Sequence, residues 1–216
     1  CVESRVSCHY AIDEAGRITQ MVAEDQRAWH AGEAVWLGET GENSNVWFTE
    51  AVQLLEANNI GWNWWPLKKM GHNNPMQVKS NPDYDKILAY WSGNGPKPSE
   101  HEAYNGVMKL AAATQLENTV IKRDVIDALT RQPFSTATIP YKKNVINNGS
   151  VLHAVDYDLG RHGIAYFDTD TADYHLSDGN KRGGNRGRLY RNDGVDIAYD
   201  TAAKSYFVTH TEPGEW

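Results

Sequence analysis

The chain has 216 residues, with 21 Lys+Arg against 28 Asp+Glu and a formal net charge of −7. That balance excludes a general binder of nucleic acid or anionic membrane, which needs a basic surface. No apolar run approaches the roughly 18 residues of a membrane-spanning helix, and two cysteines, Cys1 and Cys8, exclude a disulfide framework.

Residues 5–22 read as a β-hairpin. Val6, Cys8, Tyr10 and Ile12 alternate with polar or small residues, Asp13-Glu14-Ala15-Gly16 supplies a turn, and Ile18 to Val22 returns. From about residue 34 the grammar changes to helix–strand alternation. Ala34-Val35-Trp36-Leu37-Gly38 is a short apolar run that a sheet would bury. Asn43-Ser44-Asn45 caps a helix with an apolar face of Trp47, Ala51, Leu54 and Leu55, and Asn58-Asn59 stops it. Ile60 to Trp65 is the next strand, closed by Pro66, so strand, helix and strand form one βαβ unit. Three more helices follow. Asn81-Pro82 opens one through Tyr84, Ile87, Leu88 and Trp91. The capping box Ser99-x-x-Glu102 opens another through Tyr104, Val107, Met108 and Ala111. A third runs from Asp124 through Val125, Ile126 and Leu129. Residues 132–150 read as a linker. Beyond it, short aromatic runs at 151–157, 163–167, 189–190, 195–199 and 205–210 predict a small all-β module.

Eight Trp and 11 Tyr are many for this length, and Trp36, Trp47, Trp62, Trp64 and Trp65 crowd into one stretch. Aromatics fill cores, and exposed ones stack on sugar rings; composition alone leaves both open. Glu39, in Leu37-Gly38-Glu39-Thr40-Gly41-Glu42-Asn43, falls where a strand gives way to a loop. A carboxylate there either caps the following helix or serves as nucleophile in glycoside hydrolysis.

Three resemblances follow from longer strings. Trp36-Leu37-Gly38-Glu39-Thr40-Gly41-Glu42-Asn43-Ser44-Asn45, followed by Asn59-Ile60-Gly61-Trp62-Asn63-Trp64-Trp65-Pro66, resembles the last two βα units of glycoside hydrolase family 5, which are retaining (β/α)₈ enzymes acting on cellulose and other β-glucans. The resemblance implies Glu39 as nucleophile and Trp65 as sugar platform. The family's general acid/base, at the end of its fourth strand, has no counterpart; Glu33, Glu42 and Glu50 do not match it. Val6-Ser7-Cys8-His9-Tyr10 with Arg27-Ala28-Trp29-His30-Ala31-Gly32 is similar to type 2 N-acetylmuramoyl-L-alanine amidases, zinc enzymes that cut peptidoglycan. His9 and His30 do not map onto that family's ligands and read as a strand histidine and a cleft-side histidine. Ala154-Val155-Asp156-Tyr157-Asp158 with Tyr190-Arg191-Asn192-Asp193-Gly194 resembles carbohydrate-binding module family 6, a β-sandwich, with Tyr190 as the implied sugar contact. His153 and Val155 replace the residues of that family's calcium site. Asp168, Asp170 and Asp173 fail the EF-hand pattern, and Lys181 to Arg188 reads as a solvated basic loop.

The expected fold is therefore mixed α and β: an amidase-like N-terminal hairpin over 1–33, a partial (β/α)₈ barrel over 34–131, the 132–150 linker and a partial β-sandwich over 151–216. The expected function is that of a retaining β-glucanase with an appended carbohydrate-binding module. The alternatives are polysaccharide binding without catalysis, or an amidase fragment acting on peptidoglycan. Because the amidase-like string stops near Gly32 and the hydrolase-like one starts near Ala34, the chain is expected to be a chimeric, incomplete and inactive fragment. No cofactor is expected. The expected partner is a β-glucan-type polysaccharide, with self-association through unpaired sheet edges but no nucleic acid or membrane. Secretion or cell-surface location follows from the resemblance alone.

Overall fold

β1, Tyr10–Ile12, pairs antiparallel with β2, Ile18–Gln20, with Tyr10 opposite Gln20 and Ile12 opposite Ile18. The computed structural model describes residues 10–12, 18–20, 36–71, 73–169 and 189–216. The chain divides into two compact units, the first made of residues 1–40 and 54–63 and the second of 41–53 and 64–216.

In the first unit, β3 (Trp36–Thr40) has β4 (Gly61–Trp64) as its hydrogen-bonded neighbour. The pair makes a two-stranded sheet, and among the described residues no barrel closes around it. Trp36, Leu37, Gly38 and Glu39 are exposed, although the apolar run was expected to be buried. Two strands offer too little surface to cover both faces of β3.

Helix α1, Asn45–Ala57, forms where the cap and periodicity place it, but its buried face is different. Phe48 and Val52 are buried with Asn45 and Thr49, whereas Trp47 is 39% exposed and Leu54 65% exposed. The face is rotated by about one residue from the stripe of largest hydrophobes. Phe48 meets the Trp64 ring edge-on at 4.3 Å, and the Thr49 hydroxyl donates to the carbonyls of Asn45 at 3.0 Å and Ala128 at 3.1 Å. Polar groups that find buried partners can thus occupy a helix face that periodicity assigns to apolar residues.

The second unit carries a three-stranded sheet. In it β5 (Lys68–Lys69) runs parallel to β6 (Met76–Gln77), which pairs antiparallel with β7 (Val120–Ile121). Helix α2, Pro82–Trp91, starts on Asn81, whose side chain accepts from the Tyr84 amide at 3.1 Å. Helix α3, Glu100–Ala113, starts on the Ser99–Glu102 capping box. They meet at Gly106, where a Cβ would lie 2.7 Å from the Tyr84 nitrogen. Asn81 Nδ2 donating to the Gly106 carbonyl at 3.1 Å ties that approach, and Trp91, Tyr104, Val107 and Met108 are exposed. Helix α4, Arg123–Thr130, buries Val125, Ala128 and Leu129.

The C-terminal region is held by the hairpin of β8 (Ile197–Asp200) and β9 (Ser205–Val208) and a 3₁₀ turn at Ala154–Asp156. Among the described residues these do not make a two-layered sandwich. The 132–150 segment has little regular structure but is fastened to its surroundings. Ile139 and Leu159 exchange backbone hydrogen bonds at 3.0 and 2.8 Å, and Lys142 pairs with Asp156 at 2.9 Å.

The rotated face of α1 is open to a direct comparison. Phe48→Ala is expected to cost about 3–5 kcal/mol of unfolding free energy, whereas Leu54→Ala stays within about 0.5 kcal/mol. Urea denaturation of the two variants reads this, and equal losses would restore the stripe centred on Leu54.

Candidate functional site

Glu39 lies on β3 with an exposed side chain and belongs to the first unit. Trp65 and Tyr190 belong to the second. Of the neighbouring carboxylates, Glu42 forms an ion pair with Lys69 and Glu50 sits exposed on α1. Trp65 is half exposed, and its carbonyl lies where a Cβ on Gly41 would go; Gly41, at φ 151°, is the residue that permits this. Tyr190 is engaged by the protein itself. Its ring stacks on Tyr206 at 4.7 Å and meets Tyr141 edge-on at 5.8 Å, and its hydroxyl donates to Asp156 Oδ1 at 2.6 Å.

The strongest cluster of chemistry-bearing groups is one that sequence reasoning passed over. Asn45, Asp124, Arg191, Asn192 and Asp193 are all buried. Asn45 Nδ2 donates to Asp193 Oδ1 at 2.5 Å and to Asp124 Oδ2 at 3.0 Å. The Asn192 backbone amide also donates to Asp124 Oδ2, at 2.7 Å, while its side-chain Nδ2 donates to the Asn43 carbonyl at 2.8 Å. Arg191 forms an ion pair with Asp193 at 2.6 Å and lies 3.7 Å from the centre of the Tyr157 ring. Tyr157 donates its hydroxyl to Asp193 Oδ2 at 3.0 Å, and Tyr166 donates to the Asp193 carbonyl at 3.1 Å.

Arg191 thus pairs with Asp193, and Asn45 links Asp193 to Asp124. Burial, and then the negative charge of Asp193, push the Asp124 carboxyl above its ordinary range. Its Oδ1 is buried without a hydrogen-bond partner, which leaves the charged form poorly compensated. Burial likewise pushes the Tyr157 hydroxyl well up, so it remains a donor.

Cavities open among the described residues of the second unit. A polar one of about 160 Å³ is lined by Thr49, Glu50, Gln132, Arg161 and His162, a set able to hydrogen-bond amides and carboxylates. Another, of about 310 Å³, is walled by Tyr157, Tyr166, Phe167 and Trp216. Among the described residues no group of three His, Cys, Asp or Glu stands ready to hold a metal. Asp124 and Asp193 are committed to Asn45, Asn192 and Arg191. The described residues therefore do not fit a zinc ion. His9, His30, Asp170, Asp173 and the Lys181–Arg188 cluster lie outside the described residues.

Compared with known families, the chain matches the model of N-acetylmuramoyl-L-alanine amidase over residues 1–127. The chain belongs to that amidase family. No curated protein and no solved structure matches it.

For this amidase-family chain several expectations change. The match spans residues 32–34, so the amidase likeness does not stop near Gly32. The strings that carried the glycoside hydrolase likeness lie inside the amidase match, which overturns the cellulase and β-glucanase reading. The nucleophile role of Glu39 and the platform role of Trp65 rested on that likeness. No family finding supports the carbohydrate-binding module of family 6 either, and with it goes the basis for Tyr190 as a sugar contact. The amidase signal, Arg27-Ala28-Trp29-His30-Ala31-Gly32, is local, whereas the family match extends to residue 127.

The Asp124 site has a definite pH signature. A carboxyl whose native pKa is raised binds more protons folded than unfolded, so stability falls as pH rises from its ordinary 3.8 through the raised native value. Asp124→Asn is expected to flatten that fall, as read from denaturant midpoints across a pH series. An unchanged slope would assign the proton to another group.

Proposed function

We propose that this chain hydrolyses the amide bond joining the lactyl group of N-acetylmuramic acid to L-alanine in peptidoglycan. The family match over residues 1–127 supports this reading. In the reaction, water oxygen adds to the lactyl carbonyl carbon and the C–N bond breaks. The nitrogen takes a proton, which leaves a carboxylate on the sugar and a free amine on alanine. Water is the co-reactant, and no redox step is involved.

Peptidoglycan is a polymer of sugar and peptide, so a polysaccharide partner survives in this coarser form while β-glucan does not. The substrate lies outside the cytoplasmic membrane, so the reading entails a protein that works in the cell envelope. Among the described residues no helix is long and apolar enough to cross a membrane. The polar cavity beside α1 lies partly on the matched segment and offers Glu50, Arg161 and His162 to a peptide's amides and carboxylates.

The reaction is tested by incubating the chain with purified disaccharide-peptide muropeptides and following products by liquid chromatography and mass spectrometry. Stem peptides with a free L-alanine amine and peptide-free disaccharides are expected, with no new reducing ends from soluble β-glucan. Glu39→Gln is expected to leave amide cleavage unchanged. Reducing ends released from β-glucan and lost in Glu39→Gln would overturn the proposal in favour of a glycosidase.

A further inference from the structure

The aromatic-walled cavity lies wholly beyond residue 127, outside the amidase match. At about 310 Å³ it is large enough for a small molecule. The Phe167 and Trp216 rings stand nearly parallel, 21° apart with centres 6.4 Å apart. Their backbones are tied by two hydrogen bonds, Phe167 N to Trp216 O at 2.6 Å and Trp216 N to Phe167 O at 3.1 Å. Tyr157 and Tyr166 complete the wall, with hydroxyls already held by Asp193. The wall is therefore formed before any ligand arrives, which removes ordering cost from binding.

The charge of the lining has one sign. Glu215 accepts from the Glu212 amide at 2.7 Å, from the Thr169 hydroxyl at 2.8 Å and from the Thr169 amide at 3.2 Å. Those bonds, the one from Glu212 foremost, hold its carboxyl below the usual range and keep it ionised. Asp168 and Asp196, which also interact elsewhere in the chain, add two more carboxyl groups. Among the described residues no Lys or Arg lines the cavity. Aromatic faces are electron-rich and attract cations, most strongly where water is excluded. An anion would find no counter-charge here, and a neutral apolar molecule would gain burial without using the carboxylates.

We propose that this cavity binds a compact organic cation, an alkylammonium group seated against the Phe167 and Trp216 rings with the Glu215 carboxylate as counter-ion. The site is independent of the amide chemistry proposed above.

Calorimetric titration of the full chain with n-butylammonium and with 1-butanol, its uncharged counterpart, tests the assignment. Saturable binding of the ammonium is expected, at least about tenfold tighter than the alcohol. Glu215→Gln should weaken the ammonium about tenfold without changing the alcohol. Trp216→Ala should abolish binding, and Trp216→Phe should retain it, which separates loss of an aromatic wall from loss of the fold. Equal affinity for ammonium and alcohol, no saturation by the ammonium, or wild-type binding by Glu215→Gln would each overturn the proposal.

Discussion

The arrangement of the second unit depends on burying Arg191. A guanidinium keeps its charge at any accessible pH, so it can leave water only if acceptors surround it. Asp193 supplies the ion pair, the carbonyls of Tyr157 and Asp158 take further donors, and the rings of Tyr141 and Tyr157 lie against its plane. Asp193 is held in turn by Asn45 from α1, and Asn45 also reaches Asp124 at the start of α4. Residues 45, 124 and 192 are far apart in the chain yet share one buried network. That network joins segments which, on composition alone, read as separate blocks.

The same network shapes the surface around it. Tyr157 and Tyr166 spend their hydroxyls on Asp193 and turn ring surface toward the aromatic cavity. A polar interior therefore fixes an apolar wall, and substitutions at Asp193 or Arg191 would act on the cavity through these two rings. Asp124 offsets its burial differently, by favouring its neutral form.

Legibility in the sequence followed the range of the interaction. The starts of α2 and α3 depend on a side chain meeting a backbone amide three residues away, and Asn81 and Ser99 could be read directly. The existence of α1 was legible from its cap and period, but its phase was not. Trp47 is larger than Phe48 and Leu54 is larger than Val52, and nothing local indicates that Asn45 and Thr49 have buried partners. The strings around Glu39 and Trp65 misled for a related reason. Short runs of Trp, Gly and Glu at a strand end satisfy more than one family's pattern, and only a match across 127 residues decides between them.

The sequence by itself determined the negative charge, the helix starts and the amidase signature near Trp29, because each is readable from the residues alone. Tertiary structure alone decided which face of α1 is buried, that Asn45 joins Asp124 to Asp193, and that Phe167 and Trp216 form one wall. These outcomes depend on desolvating charges and rings brought together from distant parts of the chain. Their energy depends on partners and burial, and neither is encoded at any single position.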